Sequence, residues 1–179
     1  MRTRVGYTGG GTRNPTYYHL GDHTESFQID YDPSKVTYEQ LLELFWGSDN
    51  HCAQAWSRQY MSAVFYGNDA QKQLALKTRD RAAARAGRPI TTEVLPLGTF
   101  YLAEDYHQKY RLRSRRDLMR EFQAMYPNDA DFVNSTAAAR INGFLGGNGS
   151  ATLLDKEIDS YGLSPEGTAR LRELAKRKW

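Results

Sequence analysis

The sequence predicts an α+β fold: a mixed sheet covered by helices, followed by a helical C-terminal extension. Three observations carry this. Short runs with a period of two alternate along the chain with helical patterns instead of being grouped. One of these runs, Gln59 to Tyr66, is apolar on both sides, as in a strand inside a sheet. Beyond about residue 111 only helical periodicity and caps remain. A chain of 179 residues has room for one good core with such an extension. The expected organisation is therefore a mixed α and β region over 1–110 and helices over 111–179.

The elements follow in order. Arg2 to Tyr7 is partly β-branched and stops at Gly9-Gly10-Gly11, as a strand entering a turn does. Glu25 to Tyr31 alternates, with Phe27, Ile29 and Tyr31 expected on a buried face and Ser26, Gln28 and Asp30 opposite. Thr37 with Gln40 three residues later forms a capping box for a helix whose apolar face is Leu41, Leu42, Leu44 and Phe45, ending at Gly47. Residues 48–58 form a polar loop, and Gln59 to Tyr66 a strand. Asn68 or Asp69 caps a helix through Ala86, with Gly87 as its stop. Pro89 to Leu95 is a short strand. Residues 102–126 read as helical, broken near Ser114. Phe132 to Phe144, capped by Asp129, is the next helix, then Leu153 to Tyr161. Ser164-Pro165 starts the last one.

Composition narrows the function classes. Hydrophobic residues at 40% and charged residues at 25% describe an ordinary globular chain. A net charge of +3 is too small to argue for nucleic acid. No apolar run reads as a signal peptide or membrane span, so membrane is not an expected partner. The single cysteine, Cys52, excludes an internal disulfide and a thiolate zinc cluster, and points to a reducing, cytoplasmic setting. No spacing among His23, His51 and His107 makes a metal motif.

The chemistry concentrates between the first two strands, where Asn14, Tyr17, Tyr18, His19, Asp22, His23 and Glu25 crowd one glycine-rich loop. The plain reading is a turn held by Asn and Asp side chains. A second feature is the basic run Arg111, Arg113, Arg115, Arg116 and Arg120. It reads as a solvated helix face beside Asp117 and Glu121, the alternative being an interaction surface for an acidic partner.

Val5-Gly6-Tyr7-Thr8-Gly9-Gly10, Asn14-Pro15-Thr16-Tyr17, His23-Thr24-Glu25 and Tyr31-Asp32-Pro33 resemble, in that order, the A-type peptide methionine-(S)-sulfoxide reductases. The resemblance continues through Tyr38 to Trp46, Gln59-Tyr60 with Ser62-Ala63, Ile90 to Glu93, and Phe100-Tyr101 to Gln108. It implies a two-layer, ferredoxin-like sandwich and reduction of oxidised methionine in proteins, with thioredoxin or another thiol as reductant and no further cofactor. Such chemistry needs a thiolate to attack sulfur and an acid to protonate oxygen. By resemblance Glu25 is the acid, with partial burial where the loop enters the strand. Tyr17 and Tyr60 hold the sulfoxide oxygen, and His23 and His107 lie by the substrate. On the residues alone Glu25 is equally a strand-edge carboxylate, the tyrosines ordinary core or rim, His23 a structural partner and His107 a helix-surface residue.

The family's Gly-Cys-Phe-Trp segment, with its nucleophile, first strand and first helix, has no counterpart in this sequence. Its substrate-positioning aspartate has none either, Asp49 being a poor match. Little or no catalysis by residues 1–179 is therefore expected; Cys52 beside His51 is the candidate substitute nucleophile, but a lone cysteine is more often a small buried hydrophobe, and enzymatic turnover by it is not expected. Marginal stability is expected as well, from unpaired strand edges. The remaining alternatives are a non-catalytic module that keeps the sulfoxide pocket and an interaction protein acting through the arginine-rich helix.

Overall fold

The computed structural model describes residues 1–47 and 55–176. They form two compact units: one of Met1–Arg4, Gln28–Asp30 and Glu104–Trp179, the other of Val5–Phe27 and Tyr31–Ala103. The fold is mixed α and β. Strands β1 (Arg2–Thr8), β2 (Thr24–Asp30) and β5 (Tyr101–Leu102) make a sheet in the order β2-β1-β5, with β5 antiparallel to β1. Strands β3 (Ala63–Tyr66) and β4 (Glu93–Pro96) pair in parallel as a separate two-stranded sheet.

In the mixed unit, helices α1 (Tyr38–Trp46) and α2 (Asp69–Ala86) pack on each other. Thr37 caps α1 with the full reciprocal box, its hydroxyl accepting from Gln40 N–H while Gln40 accepts from Thr37 N–H. Asn68 caps α2, and Gly87 stops it with φ 64°, a left-handed turn suited to glycine. Leu42, Trp46, Ala75 and Ala82 form one buried cluster against Val64 and Val94 of the parallel sheet. Burying the Trp46 indole strands its N–H unless it is paired. Thr78 Oγ1 accepts that N–H at 2.9 Å. A second cluster, Tyr7, Leu20 and Ala103, with Val5, Tyr17 and Tyr101 packed on it, anchors the long loop between β1 and β2.

The other unit is mainly helical: α3 (Tyr110–Arg113), α4 (Arg116–Met125), α5 (Asp129–Asn134), α6 (Thr136–Leu145), α7 (Ala151–Glu157) and α8 (Pro165–Lys176). Its core includes the fully buried Leu112, Leu118, Phe122, Ile141 and Leu171. Arg113 is drawn inside the basic run, clasping the Asp129 carboxylate and lying over the Phe132 ring. Lys109 is 5 % exposed. Its ammonium nitrogen donates to the backbone carbonyl and hydroxyl of Thr3.

Four expectations are corrected here. The strand expected from Gln59 begins only at Ala63, because Arg58–Tyr60 close a 3-10 turn. The helix expected over 132–144 is two helices, because the Ser135 hydroxyl turns to accept from Ala138 N–H and caps a new start. Asn128, not Asp129, caps the first of them. Phe27 is 62 % exposed; alternation assigns it to one face of the strand, but among the described residues nothing covers that face at Phe27.

Candidate functional site

The loop between β1 and β2 is a framed structure. Asp22 accepts from Gly11 N–H (2.8 Å), Thr12 N–H (3.0 Å) and the Thr12 hydroxyl (2.8 Å). These bonds hold its carboxyl far below the usual carboxylate range, the Gly11 bond acting most strongly. Two glycines are required. A Cβ on Gly10 would lie 2.5 Å from Asp22 Oδ1, and Gly21 has φ +64° with Thr12 against it. His23 is 1 % exposed and both ring nitrogens are used within this loop. Nδ1 accepts from Gly10 N–H at 3.2 Å, and Nε2 donates to Thr12 O at 2.7 Å, which fixes the tautomer. Its ring meets that of Tyr101 edge-on.

Arg58 joins this frame to the 3-10 turn. Its guanidinium donates to Asp22 O (2.8 Å) and Gly9 O (3.0 Å), and its own carbonyl accepts from the Thr24 hydroxyl (3.0 Å). The next two residues, Gln59 and Tyr60, are thereby carried to Glu25 and Tyr17. Gln59 Nε2 donates to Glu25 Oε1 at 2.7 Å and to Tyr60 Oη at 3.1 Å. Tyr60 holds its proton more firmly than a free phenol, first through its hydrogen bond with Tyr17 and further through the Glu25 charge. Exposed aromatic rings flank the pair: Trp56 lies 5.0 Å from the Tyr60 ring, and Tyr18 sits edge-on to Tyr17 at 5.4 Å.

Tyr17, Glu25 and Tyr60 therefore meet in one hydrogen-bonded cluster. Glu25 is exposed, not partly buried, because it stands on the edge strand β2. Tyr60 is 43 % exposed. His23 lies within the loop frame described above. His107 belongs to the other compact unit, in the turn Asp105–His107, its ring 4.2 Å from that of Tyr106. Cys52, with Asp49 and His51, lies outside the described residues. Among the described residues no group of three or more His, Cys, Asp or Glu side chains is placed to hold a metal, and no helix is long and apolar enough to cross a membrane.

Gln59, Arg58 and Asp22 had no role assigned from the sequence, Gln59 standing only in the Gln59-Tyr60 match and Asp22 only among the polar residues of the loop. The signal for the first two was their adjacency to Tyr60. For Asp22 it was the Gly21-Asp22-His23 run, an acceptor at the mouth of a glycine loop.

Such a carboxylate, amide and two phenols around an open patch can donate to a small polar oxygen and supply a proton to it. Comparison with known proteins identifies the family. A family model described as peptide methionine sulfoxide reductase matches residues 1–140. The chain is 38% identical over 167 residues to a Drosophila melanogaster protein named peptide methionine sulfoxide reductase, an alignment covering 92% of this chain and 67% of the relative. It is 31% identical over 185 residues to peptide methionine sulfoxide reductase A5 of Oryza sativa, covering 100% and 68%. A bacterial relative, peptide methionine sulfoxide reductase MsrA of Salinispora tropica, is 44% identical over 125 residues, covering 62% and 56%. Among solved structures, Mxr1 from Saccharomyces cerevisiae in reduced form superposes with a TM-score of 0.58 at 26% identity, covering 64% of this chain and 71% of that one. With a family model over most of its length and two relatives matched across two thirds of theirs, the chain belongs to the peptide methionine sulfoxide reductase family, A type.

Proposed function

We propose that the chain receives methionine sulfoxide of peptides or proteins at the Tyr17, Glu25, Gln59 and Tyr60 cluster, for reduction by a thiol. The observation that carries this reading is the convergence of the four side chains. The overall reaction consumes one sulfoxide and two thiols and yields sulfide, disulfide and water. The Tyr17 and Tyr60 hydroxyls donate to the sulfoxide oxygen, whose negative charge grows as the sulfur is attacked. Glu25 gives that oxygen a proton, so that it departs from sulfur as hydroxyl on the attacking thiol. The thiol comes from thioredoxin or a similar reductant. Cys52 is the only cysteine of the sequence, and turnover by residues 1–179 alone is expected to be slow. A thiol-driven reaction belongs in a reducing compartment, the cytoplasm in this reading.

A second reading has its own observation. An acid that works near neutral pH needs partial burial, and Glu25 is exposed. A module that binds sulfoxide without turning it over needs the hydroxyls and the amide but no such wall.

One experiment separates these. Residues 1–179 are titrated with a peptide bearing methionine-(S)-sulfoxide, its R epimer, or plain methionine, followed by amide and tyrosine resonances. The S-sulfoxide is expected to shift Tyr17, Gln59 and Tyr60 selectively; no selective shift refutes the site. Dithiothreitol-driven turnover is then compared with that of Cys52→Ser. Equal, slow rates support the binding reading, whereas turnover lost in Cys52→Ser makes that thiol the nucleophile.

A further inference from the structure

Gln59 touches two of the groups the proposed reaction needs, and it does so from one atom. Its Nε2 reaches Glu25 Oε1 at 2.7 Å and Tyr60 Oη at 3.1 Å. A primary amide nitrogen has two N–H bonds and accepts nothing. Both are committed here, so Glu25 Oε1 and a lone pair of Tyr60 Oη are both acceptors. We propose that Gln59 is a positioning residue that sets the direction of the Glu25 and Tyr60 protons. It reserves Oε1 as an acceptor, which leaves Oε2 as the oxygen that carries and delivers the Glu25 proton. It also turns the Tyr60 hydroxyl hydrogen away from Glu25, toward Tyr17 and the sulfoxide oxygen.

The alternative arrangement shows why an amide is needed. Without Gln59, nothing holds these two acceptors apart, and a side-chain rotation would let the Tyr60 phenol donate to the Glu25 carboxylate. A charge-assisted bond of that kind is stronger than one to a neutral sulfoxide oxygen, and it would remove both groups from the substrate. Gln59 stands between them and satisfies each through a lone pair, not a proton. The firmer hold of Tyr60 on its proton comes first from Tyr17, while the Gln59 bond acts the other way, as a donor to the phenol oxygen does. The inference rests on the sulfoxide reading of the cluster.

The test has two arms, both on the full 179-residue chain. In the first, the side-chain amide resonances of Gln59 are followed from acid to neutral pH in the wild type and in Glu25→Gln. The amide protons should move with an inflection that Glu25→Gln abolishes. No inflection, or one that survives in Glu25→Gln, overturns the proposal whatever any ligand does. In the second, binding of the methionine-(S)-sulfoxide peptide is measured across pH for the wild type, Gln59→Met and Gln59→Glu. Gln59→Met should weaken binding about tenfold. Gln59→Glu sets two carboxylates side by side, which share a proton when acidic and repel when both are charged. Its binding should persist in acid and fall toward neutral pH more steeply than that of the wild type. Equal affinities with one common pH profile overturn the role of Gln59 and leave the sulfoxide site standing. An inflection with no wild-type binding of the sulfoxide removes the site reading, and the proposal falls with it.

Discussion

Raising the pH from 8 to 10 should stabilise this protein through one residue, Lys109. The residue is 5 % exposed and its amine is bonded to Thr3, an uncharged partner. Burial, with lesser contributions from the charges of Arg4 and Arg113, pushes it down from the ordinary 10.5 to about 8. The sign follows from linkage. With its folded value depressed, Lys109 binds more protons unfolded than folded between these limits, so stability rises with pH over that window. The full difference corresponds to about 3 kcal/mol at about 1.36 kcal/mol per tenfold change. Local relaxation and water near the amine reduce that to about 2 kcal/mol. Tyr161 opposes the trend only above about pH 10, since its phenol is pushed up, mainly by burial. The assay is urea unfolding of the wild type and of Lys109→Met, which keeps the linear stem and removes the titrating group. The gap between the two curves should change by about 2 kcal/mol in favour of the wild type from pH 8 to 10. Parallel pH dependences would refute the reasoning, because they would mean that the amine is as well solvated folded as unfolded.

Two further outcomes test the scaffold. Thr78→Val removes the acceptor of the buried Trp46 N–H and should cost about 1–3 kcal/mol in thermal or urea unfolding, while Thr78→Ser should recover most of it. Gly10→Ala drives a Cβ to within 2.5 Å of Asp22 Oδ1. It should broaden or shift the Gly11 and Thr12 amide resonances and weaken sulfoxide peptide binding, with little change in helix content by circular dichroism.

What the sequence made legible were features that short-range chemistry determines. The Thr37–Gln40 box, the Asn68 cap and the Gly87 stop each depend on residues within four positions, and each is found as expected. Tyr17, Glu25 and Tyr60 were readable because they resemble family positions, and the structure brings their side chains together. The misses have a common origin. Ser135 looks like any helical serine until its hydroxyl turns to cap a new start. Alternation in Glu25 to Tyr31 assigns sides to the strand but not whether anything covers them, and Phe27 and Glu25 stand open on an edge. Gln59 and Arg58 act through partners 34 to 49 residues away, a separation at which periodicity carries no signal.

Arg58 has a mechanical consequence. It is a yoke: one rigid, planar group fastened to Gly9 and Asp22, in a residue whose own carbonyl is fastened to Thr24. A displacement of Gln59 and Tyr60 cannot be absorbed at the 3-10 turn alone. It pulls on the carbonyl of the glycine turn and on the residue before His23, and so on the whole frame that carries Tyr17. A molecule settling against any one of the four polar side chains should therefore be felt by the other three, and the patch should stiffen as one body.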